Sequence, residues 1–376
     1  MPTHQAAIET PVVHHMNVTP CNFYNTQKEL PAFLMFLASI LNVDRPKFCS
    51  ALETAIWMRD PMADELTDGQ DVCAIAVTYH PDAQFPLRVE RALREVGALV
   101  IVDNASDDTE LGMLRHLASN SLITLISNVN NVGIARALNI GIRRAITLGF
   151  KWALLLDQDS WIDEDMVRTL IAAGTAYPDR DKLGVIGSGY RESDGPLDEQ
   201  KDAIVADNWE EVASVVTSGS LIPLKTHAAV GAFREDFFID HVDTEYCFRA
   251  RAKGYRVIRT RRPIMSHAIG AISRHKVLWM EKWTFNHAPD RRYYIARNDT
   301  VMLREFGHYT FGLWALKSFG RCVRLCKRIA LYEEMKIHKI IAVAQGFWDG
   351  VRGHMGPRPH RRSGYAEMLK GARTRS

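Results

Sequence analysis

Cysteine pairs, long apolar runs and net charge are all scarce in this 376-residue sequence. Its six cysteines (Cys21, Cys49, Cys73, Cys247, Cys322, Cys326) are scattered, and none forms a Cys-x-x-Cys pair. That spacing argues against a zinc ribbon or a disulfide-stapled scaffold and fits a reducing compartment. Cys73 and Cys247 fall inside apolar patterns, where a free thiol serves as a small core residue. The apolar run from Pro31 to Leu41 (PAFLMFLASIL) stops short of the ~18 residues that cross a bilayer. No basic, apolar and small-residue leader opens the chain, so a cytoplasmic location is expected. Overall charge is close to balanced, 47 Lys+Arg against 44 Asp+Glu, or +3. The imbalance is local. From Lys317 to Ser376, 14 Lys/Arg face only 4 Asp/Glu, a net of +10 that leaves −7 on the rest. A tail this basic calls for an anionic partner such as a phospholipid surface or a nucleic acid.

With 47% hydrophobic and 24% charged residues the chain can bury an ordinary core. Three regions emerge. Residues 1–70 read as an extension of unclear role, partly helical. Residues 71–306 alternate apolar strands with amphipathic helices: Cys73–Thr78 then Leu87–Val96, Ala98–Val102 then Thr109–Leu117, Leu122–Ile126 then Ile134–Leu148, Trp152–Leu156 then Glu164–Ala173. Four such units in a row predict a mostly parallel sheet with right-handed crossovers, flanked by helices. A fifth strand is expected at Leu183–Ser188, a polar loop from Arg191 to Trp209, strands at Glu211–Ile222 and Tyr255–Thr260, and a helix at Val242–Lys253. Residues 307–376 form a basic, helical C-terminal region, following a helix at Arg292–Glu305.

The chemistry sits where these strands end. Strand four, Trp152-Ala-Leu-Leu-Leu, runs straight into Asp157-Gln158-Asp159. Carboxylates at the carboxyl edge of an open α/β sheet face the cleft where ligands bind. Two acids one residue apart repel, and a divalent cation relieves that repulsion; the alternative is a solvated turn. Strand one ends in Val77-Thr78-Tyr79-His80-Pro81, with Tyr79 able to stack on a planar base or to be a buried strand-end tyrosine. Strand two ends in Asp103-Asn104-Ala105-Ser106-Asp107-Asp108. Asp103 suits hydrogen bonds from a base or ribose, while Ser106 and Asp107 read as helix caps. After strand three comes Asn130-Asn131-Val132-Gly133-Ile134-Ala135-Arg136. Gly133 permits close backbone approach at a helix start that favours anions, and Arg136 adds charge one turn in.

This series of motifs, in this order, resembles family 2 inverting glycosyltransferases of the GT-A (nucleotide-diphospho-sugar transferase) fold, and within them the rhamnosyltransferases of cell-surface polysaccharide synthesis. The resemblance spans roughly Val72 to Arg304. It includes Thr217-Ser218-Gly219-Ser220, similar to the strand lining the donor and acceptor pocket, and Phe237 to Arg249, similar to the base-bearing segment. It also takes in His267 at a metal-ligand position and Arg291-Arg292-Tyr293-Tyr294-Ile295-Ala296-Arg297-Asn298. Relatives often carry Glu-Asp in the base segment; Val242 stands here in place of that Glu, so only Asp243 carries over. The resemblance implies a dTDP-L-rhamnose donor bound by Thr78, Tyr79, Asp103, Asn131, Gly133, Arg136, Asp157, Gln158, Ser218, Gly219, Arg292 and Tyr293. It implies Mg²⁺ or Mn²⁺ held by Asp157, Asp159 and His267, with Asp243 as general base towards a saccharide or lipid-linked saccharide acceptor. Read from the residues alone, Asp243 is either a first-turn carboxylate aimed into the cleft or part of a cap with Asp240, and Asp240 is the rival base. Glu245 and Arg249, i and i+4, are expected to pair on the helix surface.

Beyond Arg304, Trp314, Phe319, Leu325, Ile329 and Trp348 interleave with Lys317, Arg321, Arg324, Lys327, Arg328 and Lys339. That pattern is either an amphipathic surface for peripheral contact with the inner face of the cytoplasmic membrane or an ordinary helical subdomain with a solvated basic face. Two rival functions remain open from the sequence. A sugar-phosphate nucleotidyltransferase needs a Gly-rich, Arg-containing loop after strand one, where Tyr79-His80-Pro81 stands. A non-catalytic membrane- or nucleic-acid-binding protein would leave the carboxylate set without a purpose, and no nucleic-acid partner is expected.

Overall fold

The computed structural model describes residues 69–192, 209–267, 272–277, 280–307 and 313–358. Residues 1–68 of the extension, the 193–208 part of the polar loop and the end of the basic tail lie outside this range. The central element is β1 (Val72–Thr78), whose first four residues are fully buried. A strand covered on both faces needs this unbroken apolar run rather than an alternating one. It pairs in parallel with β2 (Ala98–Asp103) on one side and β4 (Trp152–Asp157) on the other, and β3 (Ile123–Ser127) extends the sheet beyond β2. The connecting helices α1 (Phe85–Leu93), α2 (Asp108–Leu117) and α3 (Ile134–Thr147) give the expected alternation. α3 buries Ala135, Ala137, Leu138, Ile142 and Ala145 along one stripe.

Past β4 the sheet becomes mixed. It continues through β5 (Ser160–Ile162), β6 (Leu183–Glu192), β7 (Trp209–Glu211), β8 (Ser220–Pro223) and β9 (Arg256–His267) in the order β3-β2-β1-β4-β8-β6-β9-β5, with β7 also on β9. β8 runs antiparallel to both β4 and β6, while β6 and β9 are parallel. The strand expected over Glu211–Ile222 is therefore two short strands. Between them lies a loop that leaves the ladder: Gly219 adopts φ +75°, Ser218 Oγ accepts the Asp157 amide of β4, and Ser220 Oγ donates back to Val216 O within the loop. β10 (Ile272–Val277) and β11 (Met280–Phe285) form a separate antiparallel hairpin that the sequence pattern did not suggest.

Three more helices flank this sheet: α4 (Met166–Ala176), α5 (Leu224–Val230) and α6 (Val242–Ala252). The start of α4 is held by Glu95, whose carboxylate accepts the amides of Asp165 (3.0 Å) and Val167 (3.3 Å). The C-terminal layer consists of α7 (Pro289–Phe306), α8 (Trp314–Tyr332) and α9 (Lys336–Arg352). α7 and α9 approach closely because Gly346 and Gly350 lie against the backbone of Tyr293 and Arg297. Between them sits a buried ionic cluster, Glu333 with Arg292 and with Lys339 (3.0 Å).

Candidate active site

Backbone register sets the first part of the site. Thr78 lies beside Asp103, and Val77 beside Asp157, at the carboxyl ends of three adjacent strands. Asp103 is almost completely buried and accepts three hydrogen bonds, from Thr78 Oγ1 (2.9 Å), Ser106 N (3.0 Å) and Ser106 Oγ (2.5 Å). It thus fixes the β2 loop as well as lying at the sheet edge. Tyr79 is half exposed, with its ring presented beyond the edge. Its backbone forms a two-point pair with the Gln158 side chain: Tyr79 N donates to Oε1 (2.7 Å), and Nε2 donates to Tyr79 O (3.2 Å). Gln158 accordingly clips the end of β1 to the end of β4. Its carbonyl also accepts from Arg88 (3.0 Å), which is itself ion-paired with Asp82 (2.7 Å).

Ser218 ties the second part together. Its Oγ accepts Asp157 N (3.0 Å) and lies 2.7 Å from Ser160 Oγ. Gly219 N donates to Leu155 O (2.8 Å), locking the same loop against β4. Ser218 is buried, and its contacts orient Asp157. β5 then pairs with β9 so that Ser160, the residue after Asp159, stands opposite His267. The register thus brings the strand position of His267 to the Asp157–Asp159 turn.

Asp243 enters from α6. Its Oδ2 accepts Thr217 N (3.1 Å) and its Oδ1 accepts Thr244 N (2.7 Å), so the residue beside Ser218 binds Asp243 directly. Burial pushes its carboxyl pKa above the ordinary aspartate value, against the opposing effect of the Thr244 and Thr217 amides. Among the described residues no Lys or Arg pairs with it. Asp240 differs: it is ion-paired with Arg291 at 3.1 Å. The Glu245–Arg249 pair forms (2.8 Å), but not on the surface. Glu245 is buried, and Arg249 turns inward to donate to the carbonyls of Val230, Gly231 and Ala232 at the end of α5.

The segment before Asp243 is unusual. Phe238, Asp240 and His241 all have left-handed φ, from 60° to 64°. Such a run persists only where surrounding contacts over-determine it. Those contacts come from α7. The fully buried Arg297 guanidinium donates to Asp236 O (2.9 Å) and Phe237 O (3.0 Å), and Asn298 Nδ2 donates to Phe237 O (3.1 Å), Ile239 O (2.8 Å) and Asp240 O (2.8 Å). The Phe238 carbonyl also accepts Ile134 N (2.8 Å), the first amide of α3. Gly133 has φ +82°, and a Cβ there would meet Phe238 O at 2.7 Å. Asn131 Oδ1 accepts Gly133 N (2.9 Å), and Asn104 Nδ2 reaches Gly133 O (3.4 Å). The loops after β2 and β3 and the Asp243 segment are therefore one hydrogen-bonded assembly.

Not every expected residue joins it. Arg136 is mostly exposed and lies 3.7 Å from Glu235. Arg292 is buried against Glu333, and Tyr293 is buried with its hydroxyl donating to Asp349 (2.7 Å). Both side chains engage the C-terminal helices instead, because the first turns of α7 face α9. Conversely, Arg297 and Asn298 grip the Asp243 segment, a role that their spacing in the sequence motif does not signal. Ser106, Ser160 and Arg88 were likewise not singled out as organisers. Among the described residues, the one group of three that could ligate a metal is His80, Asp107 and Glu110, with ligand atoms within 4.8 Å of one another. His80 Nδ1 lies 3.8 Å from Asp107 and 3.6 Å from Glu110 at the start of α2.

Residues 89–226 match the glycosyl transferase family 2 profile. The dTDP-rhamnosyl transferase RfbF of Shigella flexneri is 31% identical over 245 residues, which cover 62% of this chain and 80% of RfbF. The chain belongs to glycosyl transferase family 2. It is a glycosyltransferase with a GT-A sheet and an added helical C-terminal layer. Among solved structures, it is similar to the mannosyltransferase PcManGT of Pyrobaculum calidifontis, solved with GDP-Man and Mn²⁺ (16% identity, 92% of each chain, TM-score 0.46). It is also similar to GalNAc-T7, solved with UDP, GalNAc and Mn²⁺ (12% identity, 66% of this chain, TM-score 0.47). This glycosyltransferase spans half of the GalNAc-T7 chain.

Proposed function

We propose that this glycosyltransferase moves L-rhamnose from dTDP-L-rhamnose to a hydroxyl of a cell-surface polysaccharide or its lipid-linked precursor, with inversion at the anomeric carbon. The observation that supports the mechanism is that the Thr217–Ser218 loop bonds both the backbone amide of Asp157 and the carboxylate of Asp243, so that an acid towards the diphosphate and a general base would flank one loop. The exposed Tyr79 ring would stack on the base, and the Thr78–Asp103 pair would meet the base or ribose. The start of α3 at Gly133 would face the phosphates.

Asp157, Asp159 and His267 would supply two carboxylates and an imidazole, a donor set that suits Mg²⁺ or Mn²⁺. Bound there, such a cation would neutralise the charge growing on the departing diphosphate. Asp243 then takes the acceptor proton as the hydroxyl attacks. Asp240 is the poorer base because its carboxylate is held by Arg291. Asp243 Oδ1 accepts the Thr244 amide and hydroxyl, Oδ2 accepts only the Thr217 amide and keeps a lone pair for the acceptor proton, and the buried setting makes the group more basic. The acceptor side faces a membrane in this reading, with peripheral contact at the inner face of the cytoplasmic membrane through the C-terminal helices.

A thermal-shift panel of nucleotide sugars, with and without Mn²⁺, tests the donor. A selective shift by dTDP-L-rhamnose is expected, lost in Asp159→Asn. An equal shift by UDP- or GDP-sugars, or an undiminished shift in chelator, would overturn the donor and the metal respectively.

A further inference from the structure

The C-terminal helices carry a surface that sugar transfer does not use. On α8, Ser318, Cys322 and Ile329 are buried against α7 and α9. Beside that face runs an outward stripe, Leu316, Phe319, Val323, Lys327 and Ala330, spaced three and four residues apart, in which Leu316 is 65% exposed and Phe319 53%. α9 presents a matching stripe of Ile337, Ile341, Ala344 and Trp348, with Ile337 72% exposed. Between the helices lies an open, almost wholly apolar groove of about 630 Å³, lined by Phe319, Cys322, Val323, Val343, Phe347 and Trp348. Exposed apolar surface of this extent marks a contact.

Charge says with what. α8 contains Lys317, Arg321, Arg324, Lys327 and Arg328 and no carboxylate. Lys317, Arg321, Arg324 and Arg328 recur at four, three and four residues, making a second stripe beside the apolar one. Arg321 pairs with Asp299, whereas Lys317, Arg324, Lys327 and Arg328 form no ion pair among the described residues. A second copy of the chain would oppose one cationic helix to another. Among the described residues no helix is long and apolar enough to span a bilayer, so α8 and α9 would lie on a membrane rather than cross it.

We propose that the α8–α9 face docks on an anionic phospholipid bilayer. Leu316, Phe319, Val323, Ile337, Ile341 and Trp348 enter the acyl boundary, and the α8 cations meet the headgroups. This deepens the membrane contact named above and rests on it, but it depends on neither the donor nor Asp243. Co-sedimentation of the full chain with phosphatidylglycerol-containing and pure phosphatidylcholine vesicles tests it. Binding to the anionic vesicles alone is expected, weakened by salt. The triple variant Lys317→Gln, Arg324→Gln, Arg328→Gln should lower vesicle affinity by roughly a hundredfold, at about a decade per 1.4 kcal/mol. Leu316→Ser with Ile337→Ser and Ile341→Ser should lower it at low and high salt alike. Both variants alter exposed positions and should keep the wild-type circular dichroism and nucleotide-sugar shift. Three results would overturn docking: equal binding to both vesicle types, wild-type binding by both variants, or a wild-type dimer that the serine variant splits. A donor shift without vesicle binding removes the docking alone. Vesicle binding without a donor shift removes the rhamnose reading alone.

Discussion

Gly133 shows how much one residue can carry. Its φ of +82° with ψ 163° belongs to backbone that only glycine adopts readily, and any Cβ would press on Phe238. Gly133→Ala should cost about 2 kcal/mol or more in chemical denaturation and should loosen the Asp243 segment through Phe238 O. An alanine variant as stable and active as wild type would show that this contact is dispensable. Asp243 makes a second prediction at this scale. Its pKa is raised by burial above 3.8, and it must be ionised to accept a proton. Activity should therefore fall as pH drops through that raised value, so the acid limb of kcat lies above the ordinary aspartate range. A limb at or below 3.8 would contradict the role. The residue types at the strand ends were legible because strand periodicity fixes which residues leave the sheet together. What those side chains touch was not. Gln158 is expected as a donor contact, yet its amide clips Tyr79; Ser218 reads as pocket lining, yet it is buried and orients Asp157.

Among elements, the decisive relation is α7 gripping the loop before α6. Three carbonyls accept from Asn298 alone, and Arg297 takes two of that loop's carbonyls. Asn298→Ala leaves buried acceptors unpaired, which should cost about 2–3 kcal/mol of stability. As Asn298 acts through Asp243, kcat should fall while donor affinity holds, and the acid limb of the pH profile should move with it. A stability loss with unchanged kcat and unchanged pH profile would make Asn298 merely structural. The first four strand–helix units could be read to within a few residues, because parallel strands and their crossover helices have strong, distinct periods. β8 was hidden within a longer apolar stretch, and its antiparallel direction depends on partners far away in sequence. The three-residue β5 and the β10–β11 hairpin carry too little periodicity to be seen.

Across the whole molecule, a family 2 catalytic sheet and a helical layer share one joint: α7 holds the loop that presents Asp243 and also packs on α9, next to the exposed face. Arg292 and Tyr293 belong to that joint, and only the packed structure reveals it, since their motif says nothing about which side of α7 meets α9. In the proposed mechanism Asp243 is the base of a sugar transfer whose donor is held elsewhere in the same cleft. The most direct measurement is kcat for rhamnosyl transfer by Asp243→Asn, with dTDP-L-rhamnose affinity measured separately by calorimetry. A fall in kcat of ~10²–10⁴-fold with donor affinity unchanged is predicted. Wild-type turnover, or donor affinity falling in step with kcat, would contradict it.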